Sequence, residues 1–322
     1  MISRRHVLGV ALAGAVPLAW SQADYPTRPI RIIVPFGAGS LTGTFAQIVG
    51  EGLKERLGQP VVVEYKPGAT GNIGADLVAK SPPDGYNMVV TTNATFAINP
   101  WIYTKMPFDP LKDFHHLLTG IAYGTILVVP PDSPFKSVAD IVAFGKANPG
   151  KLTQASSGTG STAQLAGELF ARHAGFRMLH IPYKGGPPAR MDVMAGRVDL
   201  MFTDPTGVPL IREGKLRALA VSSGKRSKAL PDVPTLAEQG FPDVVVETWF
   251  GLALPSATPG PIDQKLETGI SAFLQRQDTR ERFLALGAEV PEDTSSAGAL
   301  RRIVAEQKMW RPIIKDLGIR AD

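Results

Sequence analysis

Short runs of consecutive apolar residues recur along the chain, and most lead through a glycine- or hydroxyl-bearing turn into a stretch whose apolar positions repeat at helical spacing. Residues 152–170 show the pattern most plainly. Their left side is strand-like, residues 156–162 are small and polar, and Leu165, Leu169 and Phe170 then share one helical face. Similar runs predict strands at 30–35, 60–65, 86–92, 178–183, 198–202 and 216–222, and longer ones at 121–129 and 245–254. Helical spacing predicts helices at 45–57, 72–80, 137–148 and 187–196. From residue 261 the chain reads as helices alone, with Asp278 and Ser295 or Ser296 as caps, Leu300, Ile303, Val304 and Trp310 inward, and a kink or restart at Pro312. Alternating strands and helices of this kind predict an α/β protein with mostly parallel sheets, and ligands at the carboxyl ends of the strands.

Two of the turns carry candidate chemistry. In 156–162, Gly158 and Gly160 can take positive φ and let a ligand approach the main chain, while Ser161 or Thr162 can cap the following helix. Residues 37–44 repeat the arrangement between the first strand and the first helix. Unpaired N–H groups and the positive end of a helix dipole converge on one spot in each turn, which suits an anion. The two regions also match in short pieces: Ala46–Glu51 against Ala163–Glu168, and Tyr65–Gly68 against Tyr183–Gly186. If these mark an internal duplication, two similar lobes each offer a turn to a shared cleft. The donors would be backbone N–H groups with Ser40, Thr42, Thr44, Ser157, Thr159, Ser161 and Thr162. The polar strand end at Thr92 and Asn93, and Asp204 at the lip of the second lobe, would also touch the ligand. Glutamate at Gly160 is expected to abolish binding and leave the fold intact.

Composition adds boundaries. The 322 residues suffice for two domains, and 44% hydrophobic with 20% charged residues gives a good core. The absence of cysteine excludes disulfides, thiolate catalysis and zinc–thiolate sites. The net charge of +5 is scattered, without the basic, aromatic-interleaved runs that nucleic acid would require. Residues 1–23 read as an export signal: Arg4-Arg5, an apolar run over 7–20, then Ser21-Gln22-Ala23. Both the twin-arginine and the general secretory route fit it.

Other chemistries fit less well. Gly158 to Ala163 satisfies the G-x-G-x-x-G/A pattern, but the next strand ends at Tyr183-Lys184 without the carboxylate that a dinucleotide ribose needs. No G-x-S-x-G nucleophile elbow occurs in either turn. His6, His115, His116, His173 and His180 lack metal-ligand spacing. Asp199, within a strand, reads as structural. No cofactor or metal is expected. What remains is a non-covalent anion site.

The order of several motifs resembles a known family. These are Tyr25–Ile30, Val34–Gly39, Lys66–Asp76, Pro83–Tyr86, Ala97–Pro100, Gly160–Thr162 with Leu165–Phe170, Pro182–Gly186, Gly214–Ala220 and Asp232–Thr235. Together they resemble the solute receptors of tripartite tricarboxylate transporters, the TctC-like or Bug proteins of the periplasm. The resemblance implies a type II periplasmic-binding-protein fold, with two lobes, two crossover strands and C-terminal helices. The bounds expected are 24–124 plus 250–322 for the first lobe and 125–249 for the second. It also implies a monomer that closes on a small carboxylate, a permease of one large and one small subunit, and no catalysis. Two pincers would hold the carboxylate, at 36–44, which includes Phe36 and Gly39, and at 156–162. One departure is that Ser40 and Gly43 stand where paired glycines and a nearby Asp are usual. The missing charge would disfavour an ammonium-bearing ligand and suit a plain mono- or dicarboxylate. An exported enzyme, or a receptor that signals to a sensor protein, is the alternative.

Overall fold

The computed structural model describes residues 25–321, so the export segment expected over 1–23 lies outside the described residues. The chain begins with β1 (Ile30–Val34), α1 (Leu41–Leu57), β2 (Val61–Tyr65), α2 (Asn72–Ala79), β3 (Asn87–Thr92), the short α3 (Asn99–Ile102) and β4 (Phe114–Gly124). A second series follows: β5 (Ile126–Val129), α4 (Val138–Ala147), β6 (Thr153–Ser156), α5 (Thr162–Ala174), β7 (Leu179–Pro182) and α6 (Gly186–Met194). It ends with β8 (Leu200–Thr203), α7 (Val208–Arg212) and β9 (Arg217–Val221). The chain then returns through β10 (Glu247–Pro255) to α8 (Gly260–Leu274), α9 (Gln277–Ala285) and α10 (Ser296–Leu317).

The strands form two five-stranded sheets of the same plan, ordered β2-β1-β3-β10-β4 and β7-β6-β8-β5-β9. In each, the second strand of the order pairs in parallel with both neighbours, and the fourth adds antiparallel to the third. Helical crossovers cover both faces of such a sheet, so its strands need no polar side. Hence Ile30, Ile32, Ile33 and Val34 are all fully buried. The shared plan makes Ser40, which caps α1, the counterpart of Ser161, which caps α5. The local match of Ala46 with Ala163 would instead set Ser161 opposite Thr44, one helical turn out of register.

The run expected as one strand over 121–129 divides at Thr125. β4 belongs to the first sheet and β5 to the second, and the chain crosses between lobes at the break. The crossing is tied at Ser222. Its N–H donates to the Thr125 carbonyl at 2.8 Å, and its hydroxyl accepts from the Thr125 N–H at 2.9 Å and donates to the Val246 carbonyl. From there β10 runs antiparallel to β4, Glu247 opposite Gly124.

α10 extends across both lobes. Ile303 packs with Phe96, Phe114 and Trp249 of the first, whereas Trp310 and Ile314 join Leu127, Phe170 and Phe202 of the second. Leu300 and Val304, expected inward, are exposed at 44% and 47%. Nor does Pro312 interrupt the helix. Pro312 and Lys308, whose carbonyl loses its donor, both lie on the exposed face, where water replaces the lost bond. The N-cap position of α9 is Arg276, whose side chain makes no capping bond, and the expected cap Asp278 sits inside the first turn and accepts from the Thr279 N–H at 2.8 Å.

Candidate ligand-binding cleft

The β1–α1 and β6–α5 turns face one cavity of about 750 Å³, at the carboxyl ends of the parallel strands. Each helix starts on a serine. The Ser40 hydroxyl accepts from the Gly43 N–H at 3.2 Å, and the Ser161 hydroxyl from the Gln164 N–H at 3.3 Å. That leaves the N–H groups of Leu41 and Thr42 in one helix, and of Thr162 and Ala163 in the other, with no carbonyl ahead of them in the helix. All four residues line the cavity. Two helix N-termini directed at one hollow favour negative charge by about 0.3–1 kcal/mol each at a surface, and more when water is excluded.

Most of the residues expected at the site meet there. Phe36, Gly39, Ser40 and Thr42 come from the first turn, Thr92 and Asn93 from the end of β3, and Asp204 from the end of β8. Ser157, Thr159, Ser161 and Thr162 come from the second turn. Two do not line it. Thr44 lies in the first turn of α1, with its hydroxyl donating to the Ser40 carbonyl at 3.4 Å. Gly160 turns away: a Cβ there would stand 2.1 Å from the Ile102 Cδ1, and its N–H donates to the Gln164 Oε1 at 2.8 Å. A glutamate at Gly160 would therefore collide with Ile102, a side chain of the core that joins the lobes, so the expectation of an intact fold is withdrawn. Position 43 also looks elsewhere. A Cβ on Gly43 would lie 2.8 Å from the Tyr65 ring, so a missing charge at this position does not define the ligand.

Other lining residues arrive from distant segments. The turn Gly68–Gly71 forms a third wall, and the Thr70 hydroxyl lies 3.4 Å from the Thr159 carbonyl, across the cleft. Thr162 and Asn93 meet across it as well, hydroxyl to Oδ1 at 3.3 Å. Tyr123 and Thr248 line the floor, where the strands cross between lobes. Burial holds the Tyr123 hydroxyl protonated well above its usual range, and the nearby Asp204 charge adds to this. On the second-lobe wall the buried Arg190 guanidinium reaches the Asp204 carboxylate at 3.2 Å. Lys184 stands exposed at the rim.

Two serine–histidine contacts lack the geometry of a nucleophile. Ser156 meets the His180 Nε2 at 2.6 Å, but Ser156 is fully buried behind the turn, and burial lowers the His180 pKa to about 4. His115 has both Ser296 (3.4 Å) and Asp263 (2.8 Å) on the same Nε2. A relay needs the acid on one ring nitrogen and the hydroxyl on the other. Among the described residues no three His, Cys, Asp or Glu side chains are grouped to hold a metal ion, and no helix is long and apolar enough to cross a membrane.

Comparison with known proteins gives the same outline. The family described as "Tripartite tricarboxylate transporter family receptor" matches residues 45–319. The BugT protein of Bordetella pertussis is 35% identical over 98% of this chain and 97% of its own. An R. palustris protein solved with adipate superposes with a TM-score of 0.87 at 34% identity, over 92% of this chain and 99% of that one. MatC of Rhodopseudomonas palustris, solved with bound malate, gives 0.83 at 30%, over 90% and 100%. With a match over most of its length and the same two-lobed α/β fold, this chain belongs to the tripartite tricarboxylate transporter receptor family, the periplasmic solute-binding proteins of the TctC and Bug type.

Proposed function

We propose that this protein is exported to the periplasm, captures a small organic carboxylate between its lobes, and delivers it to a membrane permease of one large and one small subunit. It works as a monomer, without a cofactor and without changing its ligand. The first lobe comprises residues 24–124 with 247–322, which keeps β10 whole where 249/250 was the expected boundary, and the second comprises 125–246. The observation that carries the reading is the pair of serine-capped helix starts lining one cavity, one from each lobe. The relatives solved with adipate and malate support a carboxylate as the anion.

The lobes work by closure. The cross-cleft contacts of Thr70 with Thr159 and of Thr162 with Asn93 are long, so on their own they favour the closed form only weakly. A carboxylate accepting from both helix starts adds contacts that exist only when the lobes meet. It can shift the equilibrium by that difference and no more. The permease then reads the closed shape as occupancy.

Native mass spectrometry of protein purified from cells tests the reading, followed by calorimetry with the acid identified and recovery of that acid afterwards. One carboxylate bound per chain and recovered unchanged is the expected result. Recovery of a chemically altered acid, or failure of any small carboxylate to bind, would overturn it.

A further inference from the structure

The two lobes are built alike, so a position that differs between them points to the part of the ligand that differs. Asn93 follows β3 and Asp204 follows β8, the equivalent strands of the two sheets. Asn93 is fully buried and occupied by the protein: its Nδ2 donates to the Glu247 carbonyl at 2.9 Å, and its Oδ1 accepts from the Ala94 N–H at 3.0 Å. Asp204 is asymmetric. Its Oδ1 accepts from Arg190 Nη1 at 3.2 Å, from the Thr206 N–H at 2.9 Å and from the Thr206 hydroxyl. Its Oδ2 receives no donor from the described residues. The side chain is 31% exposed and lines the cavity. A Cβ on Gly186 would stand 2.9 Å from Arg190 Nη1 and 3.4 Å from this oxygen.

We propose that Asp204 Oδ2 is a distal subsite for a neutral hydrogen-bond donor, so that this receptor prefers carboxylates with a hydroxyl at the far end over plain dicarboxylates. The inference rests on the carboxylate reading above and deepens it. A second ligand carboxylate would bring acceptors to an acceptor and leave the bare oxygen without a donor. An ammonium gains little, because the buried Arg190 already offsets the Asp204 charge. Lys184, the other cation on this side, is exposed at the rim, where water and salt screen it. A hydroxyl donates without adding charge.

Calorimetry with hexanoate, 6-hydroxyhexanoate, adipate and 6-aminohexanoate tests this, with benzoate and 4-hydroxybenzoate as a pair of different shape. In the unmodified protein the hydroxylated member of at least one pair should bind about ten-fold tighter than its parent, the worth of one charge-assisted hydrogen bond. Adipate should be weaker than 6-hydroxyhexanoate. Asp204→Asn keeps an acceptor for Arg190 and Thr206 and replaces the bare oxygen by an NH₂ donor. It should reverse the order of adipate and 6-hydroxyhexanoate. A hydroxyl without advantage in both pairs, 6-aminohexanoate as the tightest ligand, or an unchanged order in the variant would overturn the subsite while leaving carboxylate capture standing. Failure of every probe would overturn both.

Discussion

Gly37 and Gly160 lie in corresponding turns, yet a side chain added to each would meet opposite surroundings. Gly37 is exposed on the cavity wall, and nothing lies within 4 Å of where its Cβ would be. Gly160 has φ of +77° and Ile102 in the way. Charge and sterics can therefore be tested separately. Gly37→Glu places a negative charge beside the N–H groups of α1 without disturbing packing. We expect at least a ten-fold loss of affinity for a monocarboxylate in calorimetry, with a melting temperature within about 2 °C of the original. Gly160→Ala forces an L residue into the left-handed region and a methyl into a filled core. Its expected cost is about 2–4 kcal/mol of stability, read by urea unfolding. An unchanged affinity in Gly37→Glu would show that the first turn does not hold the anion.

Among the elements, the turn between β2 and α2 is the one that local sequence describes least. Four successive residues have positive φ, Gly68 (136°), Ala69 (48°), Thr70 (49°) and Gly71 (95°), and two of them carry a Cβ. Each of those two costs on the order of 1 kcal/mol. The turn is held from elsewhere: the Thr70 carbonyl accepts from the Thr95 hydroxyl and the Asn99 Nδ2, both at 3.0 Å. Thr70→Gly keeps those carbonyl bonds and relieves the strain, but it removes the hydroxyl that reaches the second pincer. Relief of strain and the greater freedom of the unfolded chain oppose each other, so stability should barely change. Ligand affinity should fall about three- to ten-fold by calorimetry, and equal affinity would remove Thr70 from the closing contacts. The serine-capped turns were legible because hydroxyls, glycine and the following helical period lie within a few residues of one another. Helical spacing alone sets the start of α1 at residue 45 because Leu41 to Thr44 have turn composition, whereas the Ser40 cap begins the helix at Leu41. Tyr123, Arg190 and Thr248 carry no local mark of a site. Pairing of β4 with β10, and burial of α6 against the second sheet, bring them to the cavity.

At the scale of the whole molecule, α10 joins the two lobes, and Glu306 sits between its two buried ends. Glu306 Oε1 accepts from the Trp249 Nε1 at 2.7 Å, while Oε2 is buried without a hydrogen-bond partner among the described residues. Trp249 lies on β10 between Thr248 and Phe250, both of which line the cavity. Burial raises the Glu306 carboxyl to about 7; Arg302 opposes the shift and Glu247 supports it. Between its ordinary range and pH 7 the folded protein thus holds a proton that the unfolded chain has released. Stability must fall as pH rises through that window and level off above it, by about 1–3 kcal/mol in all. The buried His116 and His180 act in the opposite sense. Their pKa values of about 4 mean that the unfolded chain takes up protons first, and stability falls as pH drops below about 6.5. Glu306→Gln keeps an acceptor for Trp249 and removes one of the two slopes. Urea unfolding should find the variant about 1–3 kcal/mol more stable than the original protein at pH 8, with the gap narrowing toward pH 5 and only the histidine-driven loss left on the acid side. Parallel curves for the two proteins between pH 5 and 8 would mean that the Glu306 carboxyl is already ionised in the fold, and that the join between the lobes carries no proton.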